Sequence, residues 1–118
     1  MLQYVHTGDR FPTTEKGEHR MEIKKNLSET KLEAAIIGRL DTTTAPKLEQ
    51  ELKESLDGVT ELTLDFAELE YVSSAGLRVL LSAQKKMNAQ GKMVIVNVNE
   101  DIKEVFEITG FSDILTIL

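Results

Sequence analysis

The stretch EYVSSAGLRVLL, residues 70–81, sets two adjacent serines and a glycine at the start of an apolar helix-like run. Upstream, ELTLDF places Leu62, Leu64 and Phe66 on one side, the period of a half-buried strand. From Ala75 to about Gln90, Leu77, Leu80, Leu81 and Met87 form an apolar helical face, Lys85 and Lys86 complement the negative end of the dipole, and Gly91 suits the C-terminal cap. The serines therefore stand where a strand gives way to a helix. Either hydroxyl can cap that helix by accepting a backbone N–H of its first turn. A transferred phosphate is also tolerated there, because free N–H groups and the helix dipole favour negative charge.

The alternation of strand and helix periods continues on both sides. MEIKKNL, SET and KLEAAIIGRL read as two strands about a short turn, with Leu32, Ala34, Ile36 and Leu40 on one face. Thr44, Ala45 and Pro46 start a helix, since Thr can cap and Pro is tolerated in a first turn; Leu48, Leu52 and Leu56 give its buried stripe and Gly58 ends it. MVIVNV is a short apolar run that reads as a buried strand. A last helix spans residues 100–109, with Ile102, Val105, Phe106 and Thr109 on one side and Gly110 closing it, and ILTIL ends the chain as a strand or extended segment. This order predicts an α/β fold, a single domain with a mixed β-sheet of about four to five strands covered by helices.

The first twenty residues show neither period and are expected to be a flexible N-terminal extension or tag, with the domain at residues 21–118. Leu2, Tyr4, Val5 and Phe11 are the side chains with which such an arm could dock. Both histidines, His6 and His19, lie in it, so the domain proper has no group that titrates near neutral pH without a strong shift.

Composition removes most other chemistry. A chain of 118 residues with 41% hydrophobic content builds one folded domain. It has no cysteine, which excludes a disulfide framework, a thiolate metal site and a cysteine nucleophile. The formal net charge of −6 is the wrong sign for a grip on phosphate backbones, so nucleic acid is not an expected partner. No apolar run approaches the roughly 20 residues of a membrane span, and the N-terminus lacks a signal-peptide core; the expected location is the cytoplasm. Phosphate-loop and dinucleotide glycine patterns are absent, and Ser73 or Ser74 as a nucleophile lacks a histidine base and the G-x-S-x-G spacing. Asp41, Asp65 and Glu68 could pair for acid–base work, but such residues are more often strand-end carboxylates in water. The expectation is a binding protein without catalytic residues, metal or cofactor.

At this point three segments carry a resemblance. GRLDTTTAPKLEQEL (residues 38–52), LTLDFAELEYVSSAGLRVLL (62–81) and ITGFSDIL (108–115) resemble those of a STAS domain, in its bacterial anti-sigma-factor antagonist branch. The resemblance covers nearly all of residues 21–118, and the middle segment is the specific one. It implies a small regulator of transcription that binds an anti-sigma factor which is also a serine kinase, and so frees the sigma factor. It further implies partner switching: phosphorylation of one serine at the start of the second helix abolishes binding, and a metal-dependent serine phosphatase restores it. The family pattern Asp-Ser-Ser/Thr-Gly-Leu, aligned on Gly76-Leu77, puts the acceptor at Ser74, with Ser73 in the place of the aspartate and Ala75 in the place of the second hydroxyl residue. Ser73 is the alternative acceptor. Asp41 matches the family's loop aspartate, and the implied partner-binding set is Asp41, Thr42, Ser73, Ser74, Gly76 and Arg78. Ser74 is expected to carry both the cap and the switch. The competing expectation is a non-switching STAS interaction module in another signalling or transport-associated complex, with Ser74 only a cap.

Overall fold

In a computed structural model, described here for residues 4–7 and 21–118, the hairpin predicted for residues 21–40 forms as β2 (Met21–Ser28) and β3 (Lys31–Leu40), preceded by β1 (Tyr4–Thr7). Glu29 turns the hairpin with a φ of 59°, and the register sets Ile23 opposite Ile36 and Leu27 opposite Leu32. There follow α1 (Ala45–Ser55), β4 (Glu61–Asp65), β5 (Leu69–Val72), α2 (Ser74–Gln90), β6 (Lys92–Val96) and α3 (Glu100–Thr109). The sheet order is β1-β2-β3-β4-β6; β1, β2 and β3 are antiparallel, whereas β4 runs parallel to both β3 and β6. β4 pairs with the first half of β3 and β5 with the second half, both parallel, so the two share one lane and six strands make a sheet five lanes wide.

Register explains the layering. Leu32, Ala34 and Ile36 of β3 lie beside Leu62 and Leu64 of β4, which lie beside Met93 and Ile95 of β6. All are buried, and they share one core with Leu48 and Leu52 of α1, Leu77, Leu80 and Met87 of α2, and Ile102 and Phe106 of α3. The alternate residues Ala35, Ile37, Thr63, Val94 and Val96 are only partly buried. Lys25 also belongs to the helix side, where its ammonium donates to Ser55 Oγ at 2.8 Å and pairs with Glu51 at 2.8 Å, tying β2 to α1.

Three details depart from the sequence reading. β5 is absent from it, because its four residues carry two buried apolar positions, Leu69 and Val72, around exposed Glu70 and Tyr71, too short a pattern to register as a strand. Tyr4–Thr7, read as part of an unpatterned extension, pairs antiparallel with β2 through Tyr4–Asn26 and Thr7–Ile23. The rest of that stretch, residues 1–3 and 8–20, lies outside the described residues. At the other end, a 3-10 turn at Phe111–Asp113 precedes a single parallel bridge between Ile117 and Ile95, so ILTIL is the extended segment that the sequence reading allows.

The third concerns Gly91. It is not a left-handed cap: its φ is 173°, ordinary extended backbone. What demands glycine is proximity, since a Cβ there would stand 1.9 Å from the Thr60 carbonyl oxygen, the same carbonyl that accepts from Lys92 N–H at 3.0 Å. Gln90 fastens the same crossing by donating to the carbonyls of Leu56 and Val59, both at 2.7 Å. The methyl group of Gly91→Ala must displace backbone, so this substitution is expected to cost about 1–3 kcal/mol in urea unfolding. A cost near zero would mean that the α2–β6 turn moves away from Thr60 freely.

Candidate functional site

The site is built where β3 and β5 end side by side. Leu40 pairs with Val72, and Ser73 N–H donates to the Leu40 carbonyl at 2.9 Å, so the loop after β3 and the start of α2 leave the sheet as neighbours. Gly76 completes this closure. It is buried, and a Cβ on it would lie 2.7 Å from Leu40 Cγ and 3.0 Å from the Leu40 carbonyl oxygen. Of the implied partner-binding residues, Gly76 therefore serves packing and is not on the surface.

The two serines divide their work. Ser73 is the N-cap, with extended backbone and its hydroxyl accepting from Gly76 N–H at 3.4 Å. Ser74 is the first helical residue, exposed, and its hydroxyl makes no hydrogen bond among the described residues. This corrects the expectation that Ser74 supplies the cap: the hydroxyl that satisfies the helix belongs to the residue before it, and the Ser74 hydroxyl is left to solvent.

Opposite stands the loop after β3, organised by Asp41. Its Oδ1 accepts from Thr43 N–H at 3.0 Å, Thr44 N–H at 3.2 Å and the Thr43 hydroxyl at 2.8 Å. That is capping geometry, with backbone donors two and three residues ahead, so Asp41 and not Thr44 caps the turn that leads into α1. Thr44 makes no capping bond; its buried hydroxyl donates to the Arg39 carbonyl at 2.7 Å and accepts from Asp41 N–H at 2.8 Å. Pro46 occupies the first turn, as expected from its missing N–H.

Burial pushes the Asp41 carboxyl upward, but the hydrogen bonds from the Thr43 hydroxyl, the Thr44 and Thr43 N–H groups and the Thr44 hydroxyl outweigh it and hold the group below the ordinary 3.8. Arg39 adds a contact from Nε to Asp41 Oδ2 at 3.5 Å, while its guanidinium lies over the Tyr71 ring, 4.4 Å from the centroid. Arg39 and Tyr71 are register partners on β3 and β5. Sequence reasoning missed both, since their meeting depends on β5. Thr42 and Arg78 are exposed and line the same trough beside the junction. No group of three or more His, Cys, Asp or Glu residues that could hold a metal ion occurs among the described residues, and none of their helices is long and apolar enough to cross a membrane.

This geometry is that of a known class. The family model for the STAS domain matches residues 22–118, and the chain belongs to that family. A Bordetella bronchiseptica protein, BtrV, named as an anti-sigma factor antagonist, is 35% identical over 99 residues, spanning 82% of this chain and 85% of that one. The anti-sigma-B factor antagonist of Listeria monocytogenes is 32% identical over 100 residues, spanning 82% and 86%. Among solved structures, an anti-sigma factor antagonist from Mycobacterium paratuberculosis superposes with a TM-score of 0.74 at 20% identity, covering 82% of this chain and 84% of that one. The phosphorylated form of the Bacillus protein SpoIIAA gives 0.65 at 16% identity, covering 81% and 90%.

Two predictions follow from these contacts. Ser73→Ala is expected to lose about 0.5–1 kcal/mol, the low end for a cap because its bond is long, while Ser74→Ala stays within about 0.5 kcal/mol of wild type in denaturant unfolding. The opposite ranking would return the cap to Ser74. For Asp41, a folded-state pKa below the unfolded one means that the unfolded chain binds the proton first as pH falls. Its stabilisation is full above about pH 4, the unfolded value, and is lost as pH falls through the lower folded value. The stability gap between wild type and Asp41→Ala, measured by thermal unfolding from pH 7 to pH 2, should therefore narrow below about pH 4. A gap independent of pH would place the contribution elsewhere than in the carboxylate charge.

Proposed function

We propose that this protein is a cytoplasmic anti-sigma-factor antagonist. It acts by binding, without catalysis or a cofactor, on an anti-sigma factor that is also a serine kinase, and is switched off by phosphorylation of Ser74. The observation that carries this reading is the exposed, unbonded Ser74 hydroxyl at the first position of α2, beside the loop ordered by Asp41. A phosphate at that position meets the helix N-terminus and needs no rearrangement of the fold, because Ser73 already supplies the cap. An interface fitted to a neutral hydroxyl, by contrast, must desolvate a group of roughly −1.5 to −2 charges, more than a single neighbouring cation offsets.

The relatives named as anti-sigma factor antagonists support the partner class, and SpoIIAA, which has been solved in phosphorylated and unphosphorylated forms, supports the kind of modification. Ser73 in the place of the family aspartate fits the same scheme. Serine and aspartate are both strong N-cap residues, so the exchange keeps the helix start and removes a negative charge from beside the acceptor. A serine phosphatase is the enzyme that resets the state.

The test is a titration against the serine-kinase anti-sigma factors of the organism that encodes the chain. Wild type and Ser74→Ala should bind one of them with similar affinity, whereas the chain carrying phosphoserine at position 74 should bind at least about 100-fold more weakly, as burial of a doubly charged group in such an interface implies. Incubation of wild type with that kinase and ATP should place phosphate on Ser74. Equal affinity of the phosphorylated and unmodified chains, or phosphate confined to Ser73, would overturn the switch.

A further inference from the structure

The charge on α2 is unlike that of the chain around it. The whole chain has a formal net charge of −6, yet α2 carries Arg78, Lys85 and Lys86 and no acidic residue. A helix face that serves only to stay solvated mixes the two signs, as α1 does with Lys47 and Lys53 among Glu49, Glu51 and Glu54. All three α2 cations are exposed.

Arg78 and Lys85 border a trough of about 470 Å³ between α1 and α2, which begins at Thr42 and Ala75 beside the serine junction. Pro46 and Glu49 form one wall, Arg78 and Lys85 the other, and Ala45 and Val79 contribute buried apolar floor. A narrower continuation of about 60 Å³ shares Glu49, Val79 and Ser82 and reaches Lys53 and Lys86. Lys53, Arg78, Lys85 and Lys86 thus border a seam in which Glu49 is the one acid among the described residues. None of the four makes an ion pair among the described residues, although Lys25, Lys31 and Arg39 elsewhere do.

We propose that this trough is an interaction surface for the anti-sigma partner. It receives an acidic segment that lays an apolar side chain against Ala45 and Val79 and sets its carboxylates toward Arg78, Lys85 and Lys86. The inference rests on the antagonist reading and deepens it. Charge complementarity selects the occupant: unpaired cations beside apolar floor fit alternating acidic and apolar side chains, while the acidic balance of the whole chain opposes a long polyanion such as nucleic acid. The trough is also continuous with the Ser74 junction, so one partner can cover both. Arg78 follows Ser74 by four residues, one helical turn, and a phosphate on Ser74 draws on the same guanidinium that a partner carboxylate would use. Phosphorylation then adds charge at the junction and withdraws a counter-charge from the trough.

The experiment titrates the anti-sigma factor that binds wild type with three variants, each checked for its thermal midpoint: Lys85→Glu combined with Lys86→Glu, Ser82→Tyr to fill the trough, and Lys103→Glu on α3 as a distant charge control. The first two are expected to bind at least about tenfold more weakly, and the control within about twofold. The charge variant alters only exposed side chains, so the test holds even if Ser82→Tyr fails to fold. Wild-type affinity in the charge variant, with phosphoserine at position 74 still abolishing binding, overturns the trough and leaves the switch intact. Binding by no anti-sigma factor, wild type included, removes the antagonist reading and the trough with it. Retention on phosphatidylglycerol vesicles that is lost in the charge variant, with anti-sigma affinity unchanged, would assign the seam to lipid and likewise overturn the proposal.

Discussion

The constraint on which the site depends is the pairing of the last residue of β3 with the last residue of β5. Leu40 opposite Val72, extended by the bond from Ser73 N–H to the Leu40 carbonyl, brings together two loops separated by some thirty residues of chain. Every later feature needs that seam. Arg39 reaches Tyr71 because they are the preceding register pair, and α2 starts against β3 because Gly76 presents no side chain to Leu40. Loosening the seam would separate the Asp41 loop from the serines even if each kept its own hydrogen bonds.

Two caps then fix the chain on either side of the seam, and they do so from positions that leave other groups free. Asp41 holds the turn into α1 from three residues before Thr44, which releases Thr44 to bond back to the Arg39 carbonyl inside the loop. Ser73 holds α2, which releases Ser74. Adjacent residues of the same type thereby acquire opposite standing, one spent on the fold and one available to chemistry from outside.

Much of this was legible in the sequence, and what was not has a physical reason. The hairpin, the three helices and the buried face of β4 follow from the 2.0 and 3.6 periodicities, and β6 from a short apolar run. The STAS family was legible too, from the residues around Ser73, Ser74 and Gly76. β5 was not, because four residues with two apolar positions fit either period, and Arg39 with Tyr71 was lost with it. The capping roles were misassigned for a related reason. Thr44 and Ser74 are competent caps by composition, and only backbone geometry shows that the first N–H groups point instead at Asp41 and Ser73, each earlier in the chain. Gly91 reads as a helix stop in the sequence, whereas its necessity comes from Thr60, a contact across some thirty residues that no local pattern encodes.

The hydrogen-bonded Asp41 loop has a kinetic consequence. A recognition loop that orders only on contact slows productive encounter and spends interaction energy on its own ordering. Here Thr43 and Thr44 are already anchored to Asp41, and Thr44 to Arg39, before any partner arrives. Encounter then proceeds between preformed surfaces, with differences in affinity among partners expressed mainly in how long a complex persists. Under the proposed switch, one covalent change at Ser74 resets the time spent bound while the readiness to bind is left as it was.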